Sequence, residues 1–329
     1  MFHASAMSLY QISTGRAQIV ITVAYILANI FVTALWHVVN RRKWALRNLL
    51  TDCHKFMFMM NKNCKNNNLF MNLCIVLSIM IPSVLAAMCA FFLHKAPVNY
   101  QEYYGFFLSY NSYSSYTVLL WNITTQISFL CMFSFPSCIS IVCCAAYYKS
   151  CKVFKGFSDV VADIHQGVLN RYKVSKWMNM HRLLYELAHA TEKALSPISL
   201  LIFSSQCLFM YISLAYCIVF QFNDQYFAIL WYIISSSVLP LFSVVSVILC
   251  ASKISEEILL IRTNLQLLYN TWVNESDADN KILLLMRNMI TTKFPKMTAG
   301  NIMDLKLGLI FSIFGSLFTY GLLILNIVN

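Results

Sequence analysis

Six long apolar runs punctuate the chain: Gln18 to Val39, Leu69 to Leu93, Val118 to Tyr148, Leu195 to Phe220, Ala228 to Cys250 and Leu305 to Val328. Each reaches the length of about 20 helical residues needed to cross a hydrocarbon layer roughly 30 Å thick. The periodicity does not stop where two of these runs meet polar sequence. Leu184, Leu187, Thr191, Ala194 and Ile198 recur at three- and four-residue steps ahead of the fourth run. Ile258, Ile261, Leu265 and Leu268 share one face beyond the fifth. This spacing predicts amphipathic helices that carry the spans past the membrane. The polar stretch Asn274 to Asn280 reads as a loop. The expected fold is all-α, a polytopic transmembrane helical bundle that forms a single domain over residues 1–329.

Composition agrees with this pattern. Of the residues, 59% are hydrophobic and 11% charged, against about 25% charged in a soluble domain. The net charge of +11 sits in the segments between apolar runs, where it reports topology rather than a nucleic-acid partner. The first segment carries Arg41, Arg42, Lys43, Arg47, Lys55, Lys62 and Lys65. The third and fifth are similarly basic, whereas the second has only Lys95 and the fourth has none. The positive-inside rule then puts the first, third and fifth segments in the cytoplasm and both termini outside. Asn274 and Ser276 would form a cytoplasmic, unused glycosylation sequon. Met1 to Arg16 has one basic residue and no small-residue cleavage site, so no cleaved signal peptide is expected.

Several chemistries are disfavoured by the residues present. The twelve cysteines fall in predicted spans or cytoplasmic segments and read as buried thiols rather than a disulfide framework; a Cys89 to Cys217 bond is the weaker alternative. Glu186 and His189 have Glu-x-x-His spacing, with His181 nearby, but the second motif and further glutamates that a di-iron site requires are missing. The spans hold no Asp, Glu, Lys or Arg except Lys306, beside Asp304 at the mouth of the last run, which argues against an ion-coupled transporter. No cluster suggests a reaction or a cofactor, so no enzyme is expected. Asn170, Arg171 and Tyr172 match an Asp-Arg-Tyr receptor triplet only superficially, because they lie in mid-segment.

Two groups of residues do suggest function. Trp121, Asn122, Thr125 and Gln126 in the third run, Tyr211, Ser213 and Tyr216 in the fourth, and Trp231, Tyr232 and Ser235 in the fifth gather polar and aromatic groups in the predicted outer halves. Together they would line a cavity for a small organic molecule, although interfacial aromatic belts and interhelical hydrogen bonds account for such residues equally well. The last run is rich in small residues, with Gly308, Gly315 and Gly321 among Ser312, Ser316 and Thr319. Such a stripe permits close helix approach or faces a pore.

The final stretch, Thr298 to Ile327, resembles the last helix of insect gustatory receptors. Their signature is Thr-Tyr, five hydrophobic residues, then Gln-Phe. Here Thr319 and Tyr320 match, Gly321 to Leu325 fill the spacer, and Asn326 and Ile327 stand in place of Gln-Phe. A turn at Arg41, Arg42 and Lys43, the helix leading into Leu195, Ser196 and Pro197, and Thr298 with Ala299 also look like family features. The resemblance implies seven spans with a cytoplasmic N-terminus, of which the first helix is missing here. It implies a tetrameric cation channel, homomeric or with related subunits, in the plasma membrane and opened by a tastant. The last helix would line the pore through Thr319, Tyr320, Leu323, Asn326 and Ile327, and the cytoplasmic helix extensions would form an anchoring assembly. A G-protein-coupled metabotropic receptor, or a non-channel membrane protein of the same fold, stays open as an alternative.

Overall fold

Three helices are far longer than a bilayer is thick. The structure, a computed structural model, describes residues 16–60, 130–162, 171–219, 227–273 and 280–328, together with scattered helical positions between 73 and 127. Helix α1 runs Arg16–Met59, α2 Phe135–Ala162, α3 Arg171–Val219, α4 Phe227–Val273, α5 Asn280–Thr291 and α6 Leu307–Val328. At 1.5 Å per residue, the 44, 49 and 47 residues of α1, α3 and α4 extend for about 65–75 Å, more than twice the hydrocarbon thickness. Five of the helices, α1, α2 with the turn before it, α3, α4 and α6, are long and apolar enough to span a membrane. The run from Leu69 to Leu93 lies largely outside the described residues.

The amphipathic continuations of α3 and α4 are present as unbroken helix. The turn expected at Arg41, Arg42 and Lys43 is not: α1 passes straight through these residues to Met59. The reason is visible in its buried positions. Leu46, Leu49, Cys53 and Phe56 continue a helical stripe beyond the basic cluster and pack into the main core, and Arg and Lys are themselves good helix formers. Helix α5 follows the polar stretch Asn274 to Asn280, in a segment whose sequence pattern pointed to no element, and its Ile282, Met286 and Met289 face the same core.

The core has two parts. The larger one lies where the long helices converge and includes Tyr147, Phe154 and Phe157 of α2 with Leu184, Leu195 and Ile198 of α3, all buried. The smaller one joins Ala24, Ala28 and Val32 of α1 to Phe209, Ile212 and Ala215 of α3, with Met132 and Phe133 between them. Hydroxyls stitch the larger core across helices. Cys53 of α1 meets Ser150 of α2 at 3.6 Å, and Ser150 meets Thr191 of α3 at 3.3 Å. Tyr147 meets Ser199 at 3.2 Å. Each satisfies a polar group that would otherwise be stranded in an apolar interior.

Two prolines shape these helices. Pro136 has no N–H for the Met132 carbonyl, and the turn Leu130–Ser134 ahead of it widens to π geometry, an accommodation of the missing i to i−4 bond. Pro197, inside α3, likewise strips the Lys193 carbonyl of its helical donor. Arg42 of α1 fills that vacancy, its guanidinium donating to the Lys193 carbonyl oxygen. Arg42→Ala is therefore expected to destabilise the protein by about 0.5–1.5 kcal/mol, the net worth of one hydrogen bond at a position that water can reach. In a Pro197→Ala background, where the helix supplies its own donor, most of that loss should vanish. A thermal-melting double-mutant cycle checks this, and equal losses in both backgrounds would contradict it.

His181, on the extension of α3, is buried among Phe157 at 6.3 Å and Phe294 at 5.1 Å between ring centroids. Burial lowers its pKa from 6.5 to about 4. A base with a depressed folded pKa leaves the unfolded chain binding the extra proton, so stability falls as pH drops from 6.5 toward 4. The expected outcome is a melting temperature that declines over this window in the wild type and declines less in His181→Leu.

Candidate functional site

The last helix lays a stripe of Leu309, Ile310, Ile313 and Leu317 on the main core and makes specific contacts at two places on α3, which runs alongside it in the same direction. The lower attachment begins with a hairpin, β1 Thr298–Ala299 and β2 Met303–Asp304, with Thr298 opposite Asp304 and Ala299 opposite Met303. Its turn places Gly300 and Asn301 at φ of 62° and 59°, and Ile302 N–H donates to the Ala299 carbonyl at 3.1 Å. Positive φ at both central residues is the type I′ geometry that suits a right-twisted hairpin, and Gly and Asn are the residues that tolerate it. Lys296 and Lys306 bracket Asp304 at 3.4 and 3.2 Å. Together they hold its carboxyl below the usual range, with the Lys306 hydrogen bond the largest cause.

This hairpin docks on the α3 turn that contains Pro197. The Glu192 carboxylate accepts from Thr298 N–H at 3.0 Å and from the Thr298 hydroxyl. Ser196 contributes both ends: its carbonyl accepts from Gly300 N–H at 2.9 Å, and its hydroxyl accepts from Asn301 N–H at 3.3 Å while lying 3.1 Å from the Thr298 hydroxyl. Arg42 holds the next exposed carbonyl, that of Lys193. Thus Arg42, the segment Leu195 to Pro197, and Thr298 with Ala299, separated widely in the chain, meet at one junction. Gly300 is pressed onto Leu200 so closely that an added Cβ would lie 2.4 Å from its Cδ2.

The upper attachment joins the two groups of residues singled out from the sequence. Tyr211 of α3 meets Tyr320 of α6 edge-on, with ring centroids 5.7 Å apart. Gly321 lets the helices close there, since its Cβ position lies 3.1 Å from Leu214 Cδ2. Thr319 turns its hydroxyl to the Gly315 carbonyl at 2.9 Å, and Leu323 is exposed. Asn326 and Ile327 lie in the last turn of α6, with side chains outside the described residues. Tyr216 on α3 and Trp231, Tyr232 and Ser235 on α4 are likewise placed in helix only. Trp121, Asn122 and Gln126 lie outside the described residues.

The structure also draws attention to residues that the sequence pattern did not single out. Asn29 of α1, Ser134 and Ser137 around the π turn, and Gln206 of α3 are buried. Asn29 Oδ1, both serine hydroxyls and Gln206 Nε2 have no hydrogen-bond partner among the described residues. Polar atoms left in this state inside a bundle carry a cost that a ligand or water would relieve. Tyr25 reaches Met132 Sδ at 3.2 Å in the same region, and Ser213 ties α3 to α4 by donating to the Ile233 carbonyl at 3.0 Å. The sequence signal was faint: single polar residues in apolar runs, and Ser-Phe-Pro-Ser at a proline. Elsewhere, Glu186 is engaged by Arg182 at 3.2 Å and His189 packs edge-on against Tyr185 at 4.6 Å, so the two residues of the Glu-x-x-His spacing have other neighbours. The nine described cysteines are free thiols.

The profile of the 7tm Chemosensory receptor family matches residues 13–326. The chain belongs to that family. It is accordingly a multi-pass membrane receptor of a class that is not an enzyme family. No curated protein matches it by sequence. Its fold is similar to the insect olfactory receptor OR5 from Machilis hrabei, at 12% identity and a TM-score of 0.63 over 98% of this chain and 88% of that one. The structure of OR5 in complex with eugenol is also similar, with 12% identity and a TM-score of 0.69 over 99% and 86%.

The hairpin junction gives a direct test. Gly300→Ala combines a disfavoured backbone conformation with a clash against Leu200, and is expected to cost at least about 1 kcal/mol. Gly308→Ala, where a Cβ meets nothing within 4 Å, should leave stability unchanged or slightly raised. Thermal melts of the two variants check the contrast.

Proposed function

We propose that this chemosensory receptor is a subunit of a tastant-gated, non-selective cation channel. The observation that carries the proposal is the state of α6. Its membrane-length window is 6% buried, against 61% for α3. Phe311, Phe318, Tyr320, Leu322 and Leu323 are all exposed, and the Gly308 and Gly315 faces are open. Such a helix completes its packing against lipid and against neighbouring copies. Four copies ringed about an axis, alone or with related subunits, would put these helices around a pore. Thr319, Tyr320, Leu323, Asn326 and Ile327 would then lie along its outer end.

The ligand cavity belongs in the outer half of the bundle. Trp121, Asn122, Gln126, Tyr211, Tyr216, Trp231, Tyr232 and Ser235 are its proposed lining, with Asn29, Ser134 and Gln206 offering unmet hydrogen-bonding capacity. The eugenol complex of OR5 supports a small organic ligand as the class. The Tyr211 and Tyr320 rings give the cavity a direct contact with the gate helix. A ligand that binds the open arrangement better than the closed one shifts the equilibrium between them. By the charge bias, the receptor sits in the plasma membrane with its basic segments in the cytoplasm and both termini of this chain outside.

The hydrophobic side chain at Ile327 would seal the gate by excluding water. Ile327→Ala is expected to raise basal current severalfold in excised patches held without nucleotides, with terminal tags accessible from outside. A surface-expressed variant that stays silent would contradict the pore assignment. Currents that require guanine nucleotide would favour the metabotropic reading.

A further inference from the structure

Along α1, just past the predicted span, lies a groove with a volume of about 530 Å³. Its surface is mostly apolar, from Val39, Leu46, Leu50 and the carbon frames of Lys43, Arg47 and His54, side chains whose polar ends are exposed beside it. We infer that this groove binds an inositol phospholipid of the cytoplasmic leaflet, its phosphates held by Lys43 and Arg47 and its glycerol end resting on Val39.

The position argues for a lipid. Trp36 and Trp44 are exposed on α1, and exposed tryptophans of a spanning helix sit at headgroup level. Arg47 lies over the Trp44 ring, 5.5 Å from its centroid, so the guanidinium is held at that same depth. A soluble anion would gain nothing from the apolar part of the groove, and a neutral lipid would gain nothing from its cations. An amphipathic anion uses both. Basic clusters immediately cytoplasmic of a span attract anionic lipid by about 1 kcal/mol per Lys or Arg.

The spacing favours a headgroup with more than one phosphate. Lys43 and Arg47, one helical turn apart on one face, are separated by about 6 Å of rise, and His54 lies about 10 Å further along. A single phosphodiester meets only the first level of this ladder, whereas a phosphorylated inositol reaches beyond it. Among the described lining residues no acid competes for these donors. The nearby Asp52 is directed to another face and is paired by Lys55 at 3.6 Å. Arg42, next in sequence to Lys43, is unavailable because it is committed to the Lys193 carbonyl. The side chains of Lys43 and Arg47 are exposed, so they can be replaced without disturbing the core.

The inference rests on the proposed topology only for the choice of leaflet. Binding is therefore measured on the purified full chain in neutral detergent, where both sides are accessible, and terminal tagging tests topology separately. Native mass spectrometry titrates phosphatidylinositol bisphosphate against phosphatidylcholine, with inorganic phosphate as competitor. The expected result is a bisphosphate-lipid adduct that millimolar phosphate does not displace and that weakens about 30-fold in Lys43→Ala/Arg47→Ala, two cations at about tenfold per 1.4 kcal/mol. The charge-matched variant Lys173→Ala/Lys176→Ala should bind as the wild type does. Equal weakening in both variants would replace the site by diffuse attraction, and unchanged binding in the first would remove it. Displacement by phosphate would leave an anion site without a lipid. Loss of subunit association with lipid binding intact would assign the groove to a second copy of the chain. Any of these four outcomes overturns the inference.

Discussion

The carbonyl that Pro197 leaves without a helical donor is the constraint around which the base of the receptor is organised. Water can reach this carbonyl, but a charged side chain serves it instead and so ties a second helix to the defect. Arg42 supplies one from α1. Three residues later, the Ser196 carbonyl takes Gly300 N–H from the hairpin, and one turn before Ser196 the Glu192 carboxylate takes Thr298 N–H. A local defect in α3 has thus become the fixing point for the first long helix and for the segment that leads into the last. The charged donor and acceptor make these bonds stronger than neutral ones, and the hairpin turn fixes their register.

This arrangement explains why the long helices need not be broken at the membrane surface. Charges at Arg41, Arg42 and Lys43 look like a natural end for the first span, since Arg and Lys mark the edge of the hydrocarbon. But the buried stripe of Leu46, Leu49, Cys53 and Phe56 gives the extension a core to pack against, and Arg42 has a structural use within the helix. Burial of an apolar face, rather than membrane thickness, decides where α1 stops.

Much of this architecture was legible from the chain. The apolar runs located the described spans, and the periodicity of Leu184 to Ile198 and of Ile258 to Leu268 located the extensions, because both signals repeat over many residues. The hairpin was missed although Gly300-Asn301 is a turn dipeptide, because strands of two residues leave no alternating pattern to read. Helix α5 was hidden for a related reason: its three buried positions span barely two turns, and its role emerges only when α3 and α4 present the surface it covers. The candidate cavity was legible only as a list of polar and aromatic residues. Nothing in local sequence brings Tyr211 to Tyr320, or leaves Asn29 Oδ1 and Gln206 Nε2 buried without a partner among the described residues, since both facts depend on how three helices are set against one another.

The contrast between the two ends of α6 then carries a mechanical consequence. At its base the helix is held by several charge-assisted and backbone hydrogen bonds in a defined turn. At its outer end it is held by one edge-on aromatic contact and one close approach at Gly321, an interaction worth about 1 kcal/mol beyond its buried area. Between them one stripe, Leu309, Ile310, Ile313 and Leu317, packs part-buried against the main core, while the other faces stay exposed. A rod fixed firmly at one end and weakly at the other pivots at the firm end. A change in what surrounds Tyr211 therefore disturbs the weaker, outer contact of α6 first, while the junction at Pro197 keeps its base in register with the helices below.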